Sequence, residues 1–387
     1  MQAIELFAGA GGLGLGLTKA GFYPLQIVEW DKWCCDTIRQ NQQRLPLLAN
    51  WPAPHEGDVR AVDFRKFEGM LDLVSGGPPC QPFSLGGKHG ADEDRRDMWP
   101  EAVRVVRETR PKAFIFENVK GLKRASFAGY FNYILLQLHY PSLSRKQEES
   151  WPDHFLRLQR HHTSRPSEKE EYRVVADVLN AANYGIPQRR ERVVFVGFRA
   201  DLGIEWSFPR ETHSLDALLW SQCRTEEYWD RHGVPVDFRC LDAVVHRRGM
   251  ALTEKPKAKP WRTTRDAIGD LPDPEHRSDA AKNHLNHKFQ PGARSYPGHT
   301  GSPFDEPAKT LKAGVHGVPG GENMLLKPDG TVRYFSVRES ARLQTFPDDY
   351  VLHGSWTESM RQLGNAVPVQ LGHIIGKNVA SHLRKYG

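Results

Sequence analysis

The sequence predicts an α/β protein built on a parallel, doubly wound sheet. Over the first 200 residues, short apolar runs alternate with segments whose apolar residues recur at helical spacing, and this alternation is typical of such sheets. The strand-like runs are Ala3–Leu6, Leu25–Glu29, Leu71–Ser75, Ala113–Glu117 and Val193–Phe198. Helical patterns between them include Trp33–Arg44 and Trp99–Thr109. Most runs end in glycines or a polar residue, and ligands bind beyond the carboxyl ends of parallel strands, so a site is expected at this edge.

The first strand leads into a glycine-rich loop. Glycines 9, 11 and 14 form the pattern GxGxxG, which permits a tight turn and a close approach of a ligand to the backbone. Glu29 ends the next strand and could bind both hydroxyls of a ribose, and Trp30 offers an aromatic face for an adenine ring. The pattern fits a dinucleotide as well as another adenosine cofactor, and a purely structural turn would give it too. A single Trp is also more often a core residue.

A cysteine flanked by prolines follows the third run. The segment Gly76–Ser84 contains Pro78-Pro79-Cys80-Gln81-Pro82, a stiff loop at the edge where ligands bind. Rigid presentation suits a nucleophile because it limits the entropy lost on reaching attack geometry. A lone cysteine is more often a small buried hydrophobic residue, but the proline setting argues against that reading.

Composition divides the rest of the chain. Residues 140–173 are polar and contain three prolines, which predicts an insertion at the rim of a domain spanning 1–200. From 201 to 332 the pattern changes to Pro, Gly, His and isolated apolar residues, which predicts a second, irregular domain. Regularity returns in a C-terminal segment, 333–387, where Ser336–Phe346 and Glu358–Tyr386 predict helices.

Charge and cysteine content are only mildly informative. The 387 residues carry a formal charge of +6, and seven Lys or Arg against one acid, Glu254, lie between Arg247 and Arg265. This suggests an anionic partner such as nucleic acid, although a solvated loop has the same composition. Five cysteines without a CxxC pair predict neither a disulfide framework nor a zinc site. His284 and His287 have a metal-like spacing but no cysteine companions, so we expect no metal. With no targeting segment or membrane span in the sequence, we expect a cytoplasmic, nucleoid-associated protein.

An ordered series of motifs resembles the DNA cytosine-C5 methyltransferase family, mostly bacterial modification enzymes. The resemblance covers about 1–200 and 333–387, and it implies a Rossmann-like class I S-adenosylmethionine-dependent methyltransferase sheet with a smaller, irregular target-recognition domain. The motifs are Phe7–Gly12, Glu29-Trp30, Gly57–Val59, the Cys80 loop, Phe116–Val119, Gln188–Arg192, Arg338–Pro347 and Gly364–Pro368. Glu5 stands where the family usually has Asp.

The resemblance assigns three catalytic residues. Cys80 would add to carbon 6 of cytosine, which makes carbon 5 nucleophilic. Glu117 would place a proton at N3, aided by a partly buried position that favours its protonated form. Arg192 would bind O2 and steady the charge that develops on the ring.

The resemblance also implies the ligands. S-adenosylmethionine would be bound, and its product S-adenosylhomocysteine released, by Phe7, Gly9, Gly11, Gly12, Leu13, Glu29, Trp30, Asp58, Val59, Pro79, Asn365 and Val367. Because the last two lie near the end of the chain, the C-terminal segment should return to the first domain. A cytosine must be flipped out of the duplex to be reached. The residues expected at the DNA are Gln81, Ser84, Gln188, Arg190 and Thr310.

We therefore expect a monomer that acts on double-stranded DNA, with a cognate restriction endonuclease as a possible partner. An orphan enzyme fits the sequence equally well. Two rivals stay open at this point: a catalytically silent DNA-binding homologue, and an RNA cytosine methyltransferase of the same fold. The roughly 130-residue middle segment favours duplex DNA, because reading a specific sequence needs such a module.

Overall fold

A computed structural model describes residues 1–79, 97–164, 170–239, 241–297, 300–313 and 323–386. The chain divides into two compact units. The first comprises Met1–Leu179, Glu191–Pro209 and Gly372–Gly387, and the second comprises Asn180–Arg190 and Arg210–Leu371. The segment 333–387, predicted to return to the first domain, is divided between the two units. In the described residues, no helix has the length and apolar character that a membrane crossing requires.

The first unit is built on a central sheet. Its strands are β1 (Gln2–Leu6), β2 (Tyr23–Glu29), β3 (His55–Glu56), β4 (Leu73–Gly76), β5 (Ala113–Val119), β6 (Tyr172–Asn180, whose last residue belongs to the second unit) and β7 (Glu191–Arg199). The helices that begin and end in this unit are α1 (Gly12–Lys19), α2 (Lys32–Arg44), α3 (Trp99–Thr109), α4 (Ala128–His139) and α5 (Trp151–Ser164). In the described residues the seven strands are ordered β3-β2-β1-β4-β5-β7-β6. Neighbours from β3 to β5 pair in parallel, which confirms the predicted α/β class.

Three features of this sheet were not predicted. The first is strand β3, which has only two residues, both exposed. Strand β7 is antiparallel to β5. Its direction could not be predicted, because an apolar run looks the same in either direction when both faces of the strand are buried. Strand β6 has mostly half-buried residues, so it lacks the continuous apolar run by which the other strands were found.

Aromatic side chains fill the core beside β5. The Trp99 ring packs edge-on against Phe116 and Phe195, with ring centroids 5.9 and 4.9 Å apart. Gly197 faces the Phe114 ring so closely that an added Cβ would lie 2.2 Å from it. Such pairs add roughly 0.5–1.5 kcal/mol each beyond area burial, so β5 is held firmly between β4 and β7.

The second unit consists of short strands and mostly short helices. Its strands are β8 (His213–Ser214), β9 (Lys259–Pro260), β10 (Ser302–Pro303), β11 (Met324–Leu326) and β12 (Val332–Tyr334). Its helices are α6 (Leu215–Cys223), α7 (Glu227–Arg231), α8 (Ala243–Met250), α9 (Thr264–Ile268), α10 (Asp279–Lys282), α11 (Val337–Leu343) and α12 (Trp356–Asn365). Helix α13 (Val369–Tyr386) begins here and continues into the first unit.

The single helix predicted over Glu358–Tyr386 is wrong, because α12 ends at Asn365 and α13 begins at Val369. The break follows from Pro368, since a residue before proline is disfavoured in the helical region. Ala366 is extended, with φ −65° and ψ 145°. Helix α11 begins with a capping box in which Ser336 and Glu339 bond each other's backbone N–H groups, an arrangement typical of a serine followed three residues later by a glutamate.

Candidate active site

The glycine loop has an unusual backbone. Phe7, Gly9 and Gly11 have φ values of 53°, 54° and 76°, all in the left-handed region. Glycine adopts this region freely, whereas at Phe7 it costs roughly 1–2 kcal/mol. Strain of this kind persists where the surroundings enforce it and is frequent at ligand sites. The loop therefore exposes backbone that a ligand can approach.

Glu29 is the acid that shapes this loop. Its buried carboxylate accepts hydrogen bonds from the N–H groups of Gly9 (2.7 Å), Trp30 (2.9 Å) and Asp31 (2.8 Å). Burial raises the pKa of Glu29, and these N–H bonds oppose the shift. A carboxylate has about four acceptor positions, so one remains for a ligand hydroxyl. The adjacent Trp30 is 76% exposed, so its ring is open to a planar ligand.

Glu5 supports the end of the same glycine segment. The sequence analysis noted this residue only as a departure from the family pattern. Its Oε1 accepts a hydrogen bond from the N–H of Gly14 at 2.8 Å. A Cβ at position 14 would lie 1.7 Å from its Oε2, so a glutamate at position 5 requires a glycine at position 14. Burial raises the pKa of Glu5 to about 8, so the side chain is mostly neutral at pH 7.

Glu5→Gln is expected to stabilise the protein at alkaline pH. Because the pKa of Glu5 is higher in the folded chain, about 8 against 4.5, the folded state binds more protons between these values and stability falls as pH rises through them. The neutral variant escapes this loss, so its free energy of unfolding should gain roughly 3–5 kcal/mol over wild type at pH 8.5 and little at pH 4.5. Urea unfolding at both pH values measures it, with exposed Glu68→Gln as the control. A variant less stable than wild type at pH 8.5 would contradict a neutral Glu5.

The turn after β3 carries the next predicted cofactor residues. Asp58 accepts a hydrogen bond from the N–H of Arg60 at 2.9 Å, and the side chain of Val59 is buried. Arg104 on α3 donates to the carbonyls of Val59 (2.9 Å) and Val62 (3.2 Å). Sequence reasoning missed Arg104, because an arginine on an amphipathic helix carries no signal that it anchors a distant turn.

Glu117 and Arg192 form a buried pair. Glu117 lies opposite Val194 in the β5–β7 ladder, so Arg192, two residues away on β7, shares its face of the sheet. Arg192 Nε lies 2.8 Å from Glu117 Oε1, with the side chains 13% and 10% exposed. Burial lowers the pKa of Arg192, and Glu117 opposes that shift. The Arg192 guanidinium therefore lies directly against the Glu117 carboxyl, the group to which the sequence analysis assigned the proton at N3.

Asn118 ties the start of the cysteine loop to this pair. Its Nδ2 donates to the carbonyl of Pro78 at 2.9 Å. A Cβ on Gly77 would lie 3.4 Å from Oε2 of Glu117, so the loop backbone runs directly beside the carboxylate. Pro79, the last residue before the cysteine, is exposed. Cys80, Gln81 and Ser84 lie outside the described residues.

In the second unit, Gln188 and Arg190 have no exposed surface. Arg190 donates to the carbonyls of Gly364 (2.9 Å) and Leu311 (3.3 Å), and Gln188 accepts from the N–H of Leu311 at 3.2 Å. Half-buried Thr310 donates to the carbonyl of Arg189 at 2.6 Å. These contacts hold the segment around Thr310. Contact of Gln188 and Arg190 with DNA would require them to leave these partners and remains a prediction.

Gly364 is packed against the same segment, because an added Cβ would lie 2.4 Å from the backbone nitrogen of Ala313. The next residue, Asn365, is exposed at the end of α12, and Val367 is buried. The predicted cofactor role of both stays a prediction.

The paired histidines have structural partners. His287 is buried, and its two ring nitrogens contact the Ser336 hydroxyl and the Pro272 carbonyl, each at 2.7 Å. Across the described residues, no cluster of three or more His, Cys, Asp or Glu is placed to hold a metal ion. Both ring nitrogens of His287 therefore have protein partners in this structure.

Comparison with known proteins identifies the family. The sequence profile described as "C-5 cytosine-specific DNA methylase" matches residues 1–140 and 165–381. The unmatched stretch, 141–164, lies inside the predicted insertion. Among curated relatives, Type II methyltransferase M.PspPI of Psychrobacter sp. (strain TA137) is 32% identical over 97% of this chain and 78% of its own length. Type II methyltransferase M.Eco47II of Escherichia coli is 30% identical over 99% and 79%.

Solved structures agree on the fold. The Dnmt2 methyltransferase of S. pombe superimposes with a TM-score of 0.56 at 15% identity, covering 100% of this chain and 99% of that one. The Entamoeba histolytica methyltransferase EhMeth gives 0.56 at 13%, covering 99% and 98%. With a strained glycine loop and a buried Glu–Arg pair in place, the profile match and the relatives lead to one conclusion: the chain belongs to the C-5 cytosine-specific DNA methylase family and is an S-adenosylmethionine-dependent DNA (cytosine-5-)-methyltransferase.

Proposed function

We propose that this enzyme methylates one cytosine of a specific duplex sequence through a covalent adduct between Cys80 and carbon 6 of the flipped-out base. The observation that carries the proposal is the Glu117–Arg192 pair, 2.8 Å apart and buried, beside the backbone that leads into the cysteine loop. A guanidinium and a carboxyl this close can bind O2 and N3 of one pyrimidine, which are both attached to carbon 2.

The chemistry proceeds in three steps. The Cys80 thiolate bonds to carbon 6 while N3 takes a proton from Glu117, so electron density moves to carbon 5. S-adenosylmethionine would supply the methyl group: its bond to the sulfonium sulfur breaks as the bond to carbon 5 forms, and S-adenosylhomocysteine leaves. A base, for which water suffices, then removes the carbon 5 proton, the bond from sulfur to carbon 6 breaks, and the N3 proton returns to Glu117.

Glu117 and Arg192 would divide the work on the ring. Arg192 donates to O2, where negative charge develops, and Glu117 holds the proton at N3. In this structure the two side chains form an ion pair, which keeps both desolvated groups paired until the flipped-out nucleobase takes the place of each partner. General acid–base help of this kind is worth about 10²–10⁴-fold.

The glycine loop fits an adenosine cofactor. The spare acceptor position on Glu29 suits a ribose hydroxyl, and the exposed Trp30 ring suits stacking on adenine. The left-handed backbone at Gly9 lets the methionine part approach closely. Phe7, Gly11, Gly12, Leu13, Asp58, Val59, Pro79, Asn365 and Val367 complete the proposed set.

We assign target recognition to residues 201–332, with Thr310 near the DNA and the Arg247–Arg265 cluster contacting phosphates. Gln81, Ser84, Gln188 and Arg190 remain the other proposed DNA contacts. The curated relatives are Type II methyltransferases, which supports a modification role beside a cognate endonuclease. We propose a monomer.

Transfer of labelled methyl groups to duplex DNA and to tRNA, assayed side by side, tests the function. We expect incorporation into DNA at a single sequence context, located by bisulfite mapping. Preference for tRNA would overturn the DNA assignment. Binding to DNA without any incorporation would instead identify a silent homologue.

A further inference from the structure

We propose that the insertion helix α5 buttresses the stem of the cysteine loop, and that Tyr130 is a positioning residue for methyl transfer. The inference rests on the proposed function of the Cys80 loop. It concerns a segment, 141–164, that the family profile leaves unmatched, so the family's shared motifs assign it no role.

By the stem we mean the residues that flank 80–96, namely Pro79 on one side and Asp97 and Met98 on the other. The carbonyl of Pro79 accepts a hydrogen bond from the N–H of Met98 at 3.2 Å. Asp97, next to Met98, accepts a bond from the N–H of Trp99 at 3.1 Å. The two ends of the stem are thus hydrogen-bonded to each other just before the start of α3.

Tyr130 on α4 secures this point. Its hydroxyl donates to Oδ2 of Asp97, the oxygen not used by Trp99. The Tyr130 side chain is only 6% exposed, and a hydrogen bond to a charged group is stronger than a neutral one. Asp97 is therefore held from two helices, α3 and α4.

The insertion holds Tyr130 in turn. Trp151, the first residue of α5, packs edge-on against Tyr130, with ring centroids 5.9 Å apart and planes at 83°. Further along α5, His154 is buried between the Tyr133 hydroxyl (2.8 Å) and the Leu143 carbonyl (2.6 Å). Leu158 is fully buried. Helix α5 is thus docked firmly enough to fix the Tyr130 ring.

Tyr133 provides a matched control. It lies on α4, three residues from Tyr130, and also packs against Trp151, at 5.5 Å. Its hydroxyl bonds His154 instead of Asp97. Removing either hydroxyl makes the same chemical change in the same aromatic cluster, but only the Tyr130 hydroxyl reaches the loop stem.

Tyr130→Phe is expected to lower kcat by about tenfold, with KM for DNA and for S-adenosylmethionine changed by less than about twofold. Tyr133→Phe loosens α5 but keeps the bond from Tyr130 to Asp97, so it should lower kcat by less than about twofold, even where both variants melt at equally reduced temperatures. Combining Tyr130→Phe with Asp97→Asn should cost no more than Asp97→Asn alone, since both remove one interaction. Trp151→Ala, if it stays folded, should also lower kcat.

Equal kcat values for Tyr130→Phe and Tyr133→Phe would refute the proposed role of Tyr130. So would a double variant whose loss of kcat equals the product of the losses in Tyr130→Phe and Asp97→Asn. Wild-type turnover serves as the separate check on the function itself. An enzyme that methylates DNA but ignores Tyr130→Phe refutes only this inference, whereas a wild-type protein without activity refutes the proposed function.

Discussion

Cys80→Ser is expected to abolish methyl transfer while DNA binding is retained. A serine hydroxyl is almost never ionised near neutral pH and adds poorly to carbon 6, so carbon 5 stays unreactive. Loss of a covalent nucleophile typically costs more than about 10⁴-fold in turnover. Incorporation of labelled methyl groups measures the loss, and a mobility-shift titration with duplex DNA measures binding.

Two controls sharpen this test. Cys223→Ser makes the same change at a half-buried free cysteine in the second unit, outside every assigned motif, and should keep full activity. DNA with 5-fluorocytosine at the target should trap a denaturation-resistant adduct with wild type and none with Cys80→Ser, because fluorine replaces the proton that must leave carbon 5. Methyl transfer by Cys80→Ser at a rate near that of wild type would refute the covalent mechanism.

Glu117→Gln is expected to lower kcat by about 10²–10⁴-fold. The amide keeps the shape of the side chain, but it cannot pass a proton to N3. Because Glu117 and Arg192 act on one ring as a unit, Arg192→Lys should lower turnover as well, and the double variant should lose less than the product of both single losses. Single-turnover methylation measures all three.

Glu191→Gln is the matched control for Glu117. Glu191 stands at the start of β7, and its exposed carboxylate pairs with Lys120 at 2.8 Å on the surface. Its substitution should leave turnover unchanged. If Glu117→Gln methylates as fast as Glu191→Gln, the acid role of Glu117 is refuted and Arg192 alone must stabilise the ring.

Much of the fold could be read from the sequence because its signals are local. Apolar runs located the buried strands to within a few residues, and helix α3 was predicted with its observed bounds, Trp99–Thr109. The half-buried strand β6 was missed, and so was the direction of β7, because pairing direction depends on a partner distant in the chain.

Residue types and order therefore determined the class of fold, the family and the identity of the residues assigned to the chemistry. Only the tertiary structure decided which groups meet: Arg192 with Glu117, Glu5 with Gly14, and Tyr130 with Asp97. It also showed Gln188 and Arg190 buried on backbone carbonyls instead of exposed. The reason is physical, since burial and pairing are set by contacts between segments 9 to 174 positions apart, and no local pattern records them.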